Sequence, residues 1–213
     1  MIWLTNKIEF PDYKFASKEG VLALGGDLSE ARLMHAYQNG IFPWFSEDDP
    51  IVWYCPPKRM VLFPEDLKVS KSMKKIIKRD EFIITENKAF EHVIYNCKTI
   101  KRKDDYGTWI TDDMQNAYIN LHKKGIAKSI EVWRFLNSGE KELVGGLYGL
   151  EIGNIFCGES MFSKVSNASK LAFIYLVQNK NYKLIDCQVY NPHLASLGAK
   201  EISRTKFLDF LKG

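Results

Sequence analysis

The sequence predicts an α+β protein: a small N-terminal domain, then a mixed sheet with helices packed on it. Three observations carry this. Helical periodicity dominates up to Gly125, and strand-like runs take over from Ser129. Two of those runs, 142–152 and 155–162, meet at Gly153-Asn154, a pair suited to a tight hairpin turn. A helix over 167–179 then separates the hairpin from an apolar strand at 184–190, which makes the sheet mixed rather than purely antiparallel.

Each element has a local reason. Asp27 and Glu30 stand at capping-box spacing. They predict a helix carrying Leu33, Met34, Ala36 and Tyr37, which Gly40 stops. Pro43, Pro50, Pro56 and Pro57 interrupt the next stretch and set a boundary near residue 58, giving domains 1–58 and 59–213. A strand is expected at 60–63 and a short helix at 70–79. Residues 86–97 place Ala89, Phe90, Val93, Ile94 and Cys97 on one helical face. Residues 100–107 are charged and end in Gly107, so an exposed loop is expected there. Thr111 opens a helix with Met114, Ala117, Tyr118 and Leu121 inward, and 129–135 reads as a strand. Short helices are expected at 192–197 and 207–211.

The bulk numbers exclude several classes. A chain of 213 residues with 46% hydrophobic residues can bury a real core. The net charge of +4 is too small to imply a nucleic-acid partner, so local clusters must decide. No apolar run approaches the roughly 20 residues that span a bilayer. The start, Met1-Ile2-Trp3-Leu4, lacks the form of a signal peptide, so a cytoplasmic location without membrane attachment is expected. Cys55, Cys97, Cys157 and Cys187 never fall in C-x-x-C spacing, and the histidines are scattered. Buried thiols are expected, and no metal site. No coiled-coil or broad apolar stripe stands out, so a monomer is expected.

The chemistry is first bounded by what is missing. Walker-type, dinucleotide-binding, G-x-S-x-G and H-E-x-x-H motifs are all absent from the sequence. An acyl donor that arrives already activated fits this absence. Lys68, Lys71, Lys74, Lys75, Lys78 and Arg79 cluster with no acid among them. A solvated helix face accounts for this as readily as a phosphate-contacting ridge acting through counterion release. Lys98, Lys101, Arg102 and Lys103 are diluted by Asp104 and Asp105 and read as ordinary loop. Gly158-Glu159-Ser160-Met161-Phe162 puts a carboxylate and a hydroxyl among bulky apolar residues. Carboxylates are rare there unless paired or binding something, although a solvent-facing Glu on an alternating strand remains open. Asp186 and Gln188 lie two apart in an apolar run, so on a strand they share a face. There they could orient an amine, or simply form a structural hydrogen-bond network. Ser160 and Cys157 have no assignable base and are weak nucleophile candidates.

These stretches, taken together, resemble the leucyl/phenylalanyl-tRNA–protein transferase family. The likeness runs from about Phe10 to Leu211. It rests on Leu22-Ala23-Leu24-Gly25-Gly26-Asp27, Gly40-Ile41-Phe42-Pro43-Trp44-Phe45, Gly107-Thr108-Trp109-Ile110, Glu131-Val132-Trp133 and Leu143-Val144-Gly145-Gly146. It continues through Gly158–Phe162, Asn167-Ala168-Ser169-Lys170, Ile185-Asp186-Cys187-Gln188 and Ser196-Leu197-Gly198-Ala199. The resemblance implies a C-terminal domain of N-acetyltransferase-like (GNAT-like) fold. It implies transfer of Leu or Phe, with Met also accepted, from aminoacyl-tRNA to proteins beginning with Arg or Lys, which marks them for degradation. No metal or organic cofactor is implied.

Roles follow from the same resemblance. Trp44 and Trp109 would stack on the terminal adenosine, at roughly 1–3 kcal/mol per base. Phe156, Met161, Phe173 and Leu176 would form the aminoacyl pocket. Glu159, with Ser160 beside it, would place the donor end or the amine. Asp186 and Gln188 would be the catalytic pair, assisted by Asn191. The ridge of Lys71, Lys74, Lys75, Lys78 and Arg79 would hold the acceptor stem. The chain departs from the family pattern at Lys128, where His is usual, and at Leu147, where Met is frequent. An acetyl-CoA-dependent acetyltransferase would require a [QR]-x-x-G-x-[GA] turn, and the sequence has none. A non-catalytic tRNA-binding module is the other alternative.

Overall fold

The computed structural model describes residues 2–100 and 109–212. A small sheet comes first. Its strands are β1 (Ile2–Leu4), β2 (Val21–Gly25), β3 (Phe42–Pro43) and β4 (Val52–Tyr54), in the order β1-β2-β4-β3. These strands have two to five residues each. That is too short for an alternating pattern to show, and the sequence did not reveal them. Helix α1 (Glu30–Gln38) connects β2 to β3. Its start differs from the expected capping box: the N-cap is Ser29, whose side chain accepts from Arg32 N at 3.4 Å. Asp27 instead accepts from Ser29 N at 2.8 Å and pairs with the buried Arg32 at 3.2 Å.

The main sheet has seven strands, in the order β11-β5-β10-β9-β8-β7-β6. They are β5 (Lys58–Leu62), β6 (Ile83–Glu86), β7 (Ala127–Phe135), β8 (Lys141–Ile152), β9 (Ile155–Ser163), β10 (Leu184–Asp186) and β11 (Lys200–Ser203). Every neighbouring pair is antiparallel except β9–β10, which is parallel. The mixed α+β class expected from sequence is what the chain forms. The β8–β9 hairpin turns at Gly153, with φ +57. Two strands of this sheet are not evident in the sequence: β6, which ends where the 86–97 run begins, and the short edge strand β11. The charged loop expected over 100–107 lies, apart from Ile100, outside the described residues, as do Lys101, Arg102 and Lys103.

Helices cover both faces. On one lie α2 (Lys71–Arg79) and α5 (Ala168–Asn179). Leu171 and Ile174 of α5 and Met73 of α2 belong to the same core as Ile130, Val132, Val144 and Leu147 of the sheet. On the other face, α3 (Phe90–Thr99) and α4 (Asp112–Lys123) pack Val93, Ile94, Met114 and Tyr118 against Tyr148, Leu150 and Phe162. Leu22, Tyr37 and Trp53 of the N-terminal unit join this second core, so the small sheet leans on the large one. Each such side chain contributes about 1.5–3 kcal/mol when fully buried. Two short helices complete the chain, α6 (Pro192–Ser196) and α7 (Arg204–Leu211).

Helix α3 lacks a capping side chain, because its N-cap is Ala89. Glu131, fully buried on β7, instead fixes the chain just ahead of the helix. Its carboxylate accepts from the backbone N–H groups of Lys88 and Ala89, each at 3.4 Å. It also accepts from Thr85 Oγ1 and Ser129 Oγ, each at 2.5 Å. Glu131→Ala removes the acceptor and strands these donors. It is expected to cost about 2–3 kcal/mol, read as a lower urea midpoint.

Candidate active site

The site begins where the one parallel pair comes apart. Strands β9 and β10 run in register through Leu184↔Ile155, Ile185↔Phe156 and Asp186↔Cys157. Then β10 stops, because Gln188 takes a left-handed conformation with φ +62 and the chain turns away. Strand β9 continues to Ser163, paired only with β8. A cavity of about 550 Å³ opens in the gap, a size usual for small-ligand sites. The expectation of a single strand over 184–190 is therefore corrected. Asp186 and Gln188 do not share a strand face. Across the turn, Asp186 Oδ1 accepts the Gln188 backbone N–H at 2.9 Å.

A β-bulge aims the second acid. Tyr148 pairs with Ser160 and Gly149 with Gly158, which leaves Glu159 as the extra residue of β9. The bulge also shifts the alternation of the strand. Phe156 and Met161, five apart, consequently pack on the same core, whereas a regular strand would send them to opposite faces. Gly149 is required at this point: a Cβ there would meet Cys157 O at 2.2 Å and the Phe156 ring at 2.7 Å.

Glu159 is buried with no cation in direct contact and three polar neighbours. Gln188 Nε2 donates to Oε1 at 2.7 Å, and Tyr118 OH donates to Oε2 at 3.1 Å. Tyr118 has one hydrogen, so its short bond with Tyr37 must accept the Tyr37 proton. Burial pushes the Glu159 carboxyl up to about 7, although the Tyr37 and Tyr118 hydroxyls beside it pull the other way. Burial also holds both tyrosines well above the usual phenol range. Asp186 is buried still more completely but sits in a different environment. Arg59 grips it with two bonds, Nε to Oδ1 at 2.7 Å and Nη2 to Oδ2 at 2.6 Å.

The cavity gathers most of the residues picked out from the sequence. Its apolar wall includes Phe156, Met161, Phe173 and Leu176, with Leu147, Ile185 and Leu194 beside them. Trp44 and Trp109 line the same space, as do Ser160, Glu159, Asp186, Gln188 and Asn191. Asn191 also caps α6, its Oδ1 accepting from His193 N at 2.9 Å. The basic ridge lies elsewhere. Lys71, Lys74, Lys75, Lys78 and Arg79 are exposed on α2, outside the cavity wall. Arg79 faces Glu81 at 4.0 Å, and among the described residues no acid pairs with the four lysines. Lys128 pairs with Glu151 at 3.4 Å on the neighbouring strand, away from the cavity lining. Sequence reasoning missed Arg59, Tyr37 and Tyr118 as site residues. Arg59 opens the apolar run Met60–Phe63 and Asp186 ends the apolar run Leu184-Ile185, and this match of opposite charges at two strand ends was the available signal. The described residues contain no cluster of acids, histidines and cysteines able to hold a metal ion. None of their helices is long and apolar enough to cross a membrane.

The architecture is acyltransferase-like. It superposes on the crystal structure of FemX with a TM-score of 0.50, covering 86% of this chain and 71% of that one. Identity is 10%, so the likeness is one of fold alone. The chain belongs to the leucyl/phenylalanyl-tRNA–protein transferase family. A family model described as leucyl/phenylalanyl-tRNA protein transferase matches residues 61–212, and the model of its N-terminal domain matches 26–57. A leucyl/phenylalanyl-tRNA–protein transferase of Flavobacterium johnsoniae is 55% identical, across 100% of this chain and 99% of that protein. The one from Flavobacterium psychrophilum is 52% identical, with 100% of both chains covered. The protein is thus an aminoacyltransferase, with aminoacyl-tRNA and protein as its substrates.

Glu159 gives the site a pH signature with a definite sign. Its folded value of about 7 stands above the ordinary 4.5, so ionisation opposes folding. That cost is absent below 4.5 and complete above about 7, reaching on the order of 3 kcal/mol. Urea midpoints of the unmodified chain should therefore fall between these pH values relative to Glu159→Gln. Parallel curves for the two proteins would contradict the assignment.

Proposed function

We propose that this aminoacyltransferase moves Leu or Phe, and also Met, from tRNA to the N-terminal Arg or Lys of acceptor proteins, marking them for degradation. The observation that carries the reading is the Gln188–Glu159 pair at the polar edge of an apolar cavity. Phe156, Met161, Phe173 and Leu176 receive the aminoacyl side chain, and the thioether of Met161 adapts to Leu, Met or Phe. Such a wall disfavours a side chain one methylene smaller by only about 1–3 kcal/mol. Trp44 and Trp109 stack on the terminal adenosine. Ser160 and Asn191 border the donor end.

Gln188 gives its Nε2–H to Glu159, which leaves its carbonyl oxygen free to accept a hydrogen from the incoming α-amine. The amine nitrogen then attacks the ester carbonyl, the bond to the ribose oxygen breaks, and that oxygen takes up a proton. A neutral amide is a poor base, so Gln188 acts chiefly by positioning. Glu159, near half-ionised at neutral pH, is the group able to exchange a proton within the site. Asp186 serves Gln188 from behind. Because the ester is already activated, no nucleotide is consumed.

The unpaired lysines of α2 support a second contact, along the acceptor-stem backbone. In this reading the protein works as a cytoplasmic monomer. Residues 1–58 act as one domain that presents Trp44, and residues 59–213 act as the catalytic domain.

Labelled leucyl-tRNA, incubated with the protein and no ATP, should pass its label to a peptide beginning with Arg and not to one beginning with Ala. Tight, salt-sensitive tRNA binding without transfer would sink the reading in favour of a binding module. Replacing Lys74, Lys75 and Lys78 by Ala should weaken tRNA binding. The slope of log affinity against log salt should become shallower by about one for each phosphate no longer neutralised. An unchanged slope would remove α2 from the interface.

A further inference from the structure

Arg59 occupies a position the transfer reaction leaves unexplained. It is a cation of 2% exposure in β5, next to the buried Met60, Val61 and Leu62. Its planar fork is fully occupied on one side by the Asp186 carboxylate, at 2.7 and 2.6 Å. Its remaining terminal nitrogen, Nη1, donates to Gly40 O at 3.1 Å. The guanidinium is sandwiched between the rings of Phe42 and Phe207, 4.6 Å from each centroid. One side chain thus touches the end of the α1 turn, strand β3, the end of β10 and helix α7.

The chain of interactions continues toward the cavity. Asp186 Oδ1 accepts both Arg59 Nε and the backbone N–H of Gln188. Met60, next to Arg59, donates its backbone N–H to Gln188 O at 3.0 Å. Gln188 is therefore pinned at both ends of its backbone in a left-handed conformation that a residue with a Cβ rarely adopts. From that conformation its side chain meets Glu159 at 2.7 Å. On the other side of the guanidinium, Phe42 belongs to the segment that continues through Pro43 to Trp44 in the cavity wall.

We infer that Arg59 is a positioning residue of the transfer reaction: through Asp186 it fixes Gln188, and through Phe42 it references that geometry to the segment carrying Trp44. The inference rests on the transfer reading above. Arg suits this task where Lys does not, because a point charge supplies neither the two-bond fork nor the flat faces that stack on Phe42 and Phe207. Arg59 lines no part of the cavity, so its loss should leave substrate binding nearly intact and disturb the approach of the amine.

The test is steady-state transfer from leucyl-tRNA to an Arg-initiated peptide by the unmodified chain, Arg59→Lys and Phe207→Leu, with folding checked by thermal melting. For Arg59→Lys, kcat is expected to fall about 10- to 100-fold while KM for leucyl-tRNA changes less than about twofold. Phe207→Leu removes one face of the sandwich at a residue that does not line the cavity. It should lower kcat at least about threefold with the same constancy of KM. If Arg59→Lys does not fold, Phe207→Leu decides alone. Folded variants with kcat within about twofold of the unmodified chain would overturn the inference. So would a fall in kcat that only matches the drop in folded protein. An unmodified chain that transfers nothing fails the transfer reading instead, and the inference falls with it.

Discussion

A carboxylate with no solvent exposure must be paired, and the pairing of Asp186 organises the rest of the site. The residue ends β10 in the middle of the main sheet, where water cannot solvate it. Its partner has to come from a neighbouring strand, and β5 supplies Arg59. Removing either member of such a pair costs about 3–5 kcal/mol, since the survivor remains buried and alone. The pair therefore fixes where β10 can end and which way the chain turns after it. It also fixes how the loop after α1 and helix α7 approach the sheet, because both contact the same guanidinium.

Glu159 shows the same acid under the opposite arrangement. It too is buried, yet its direct partners are an amide and a phenol, both neutral. Desolvation is then only partly compensated and raises its proton affinity to about 7. Two carboxylates near one cavity are thus driven to different duties by their surroundings. One is tied to a cation and serves as an anchor. The other is poised to exchange a proton at neutral pH. The β-bulge allows this, because the inserted residue leaves the ladder and is free to point where the parted strands open.

Much of this was legible in the sequence, and the rest was hidden for physical reasons. The long strands β7, β8 and β9, the Gly153 turn and helices α1, α2 and α4 follow from periodicity and turn residues, because each strand and helix is long enough to display its period, whereas α5 is buried on nearly every side and shows no such stripe. Of the cavity residues, Glu159 and Asp186 stood out as oddities, a Glu in Gly158–Phe162 and an Asp in an apolar run, whereas Trp44, Trp109, Phe173 and Leu176 followed only from the family resemblance. Strands β1 to β4 were not found, since their pairing comes from distant chain that no local pattern encodes. The turn at Gln188 was read as strand because its left-handed backbone is imposed by Asp186 and Met60 and not by its own residue type. Arg59 went unremarked beside Lys58, where a single Arg looks like an ordinary surface charge.

The absence of nucleotide-binding motifs agrees with the shape of the cavity. An enzyme that must activate its own acyl group needs a phosphate cradle beside the reaction centre. Here the space around Glu159 is walled instead by aromatic and aliphatic side chains, and the exposed unpaired lysines sit apart on α2. In the proposed function, phosphate recognition and chemistry are separated in space. That separation suits a donor whose charge lies along a long polymer and whose reactive ester lies at its tip. The N-terminal sheet follows from the same logic. In the proposed function a large substrate held at a distance has its end fixed locally by Trp44, which lines the cavity on the segment that packs on Arg59.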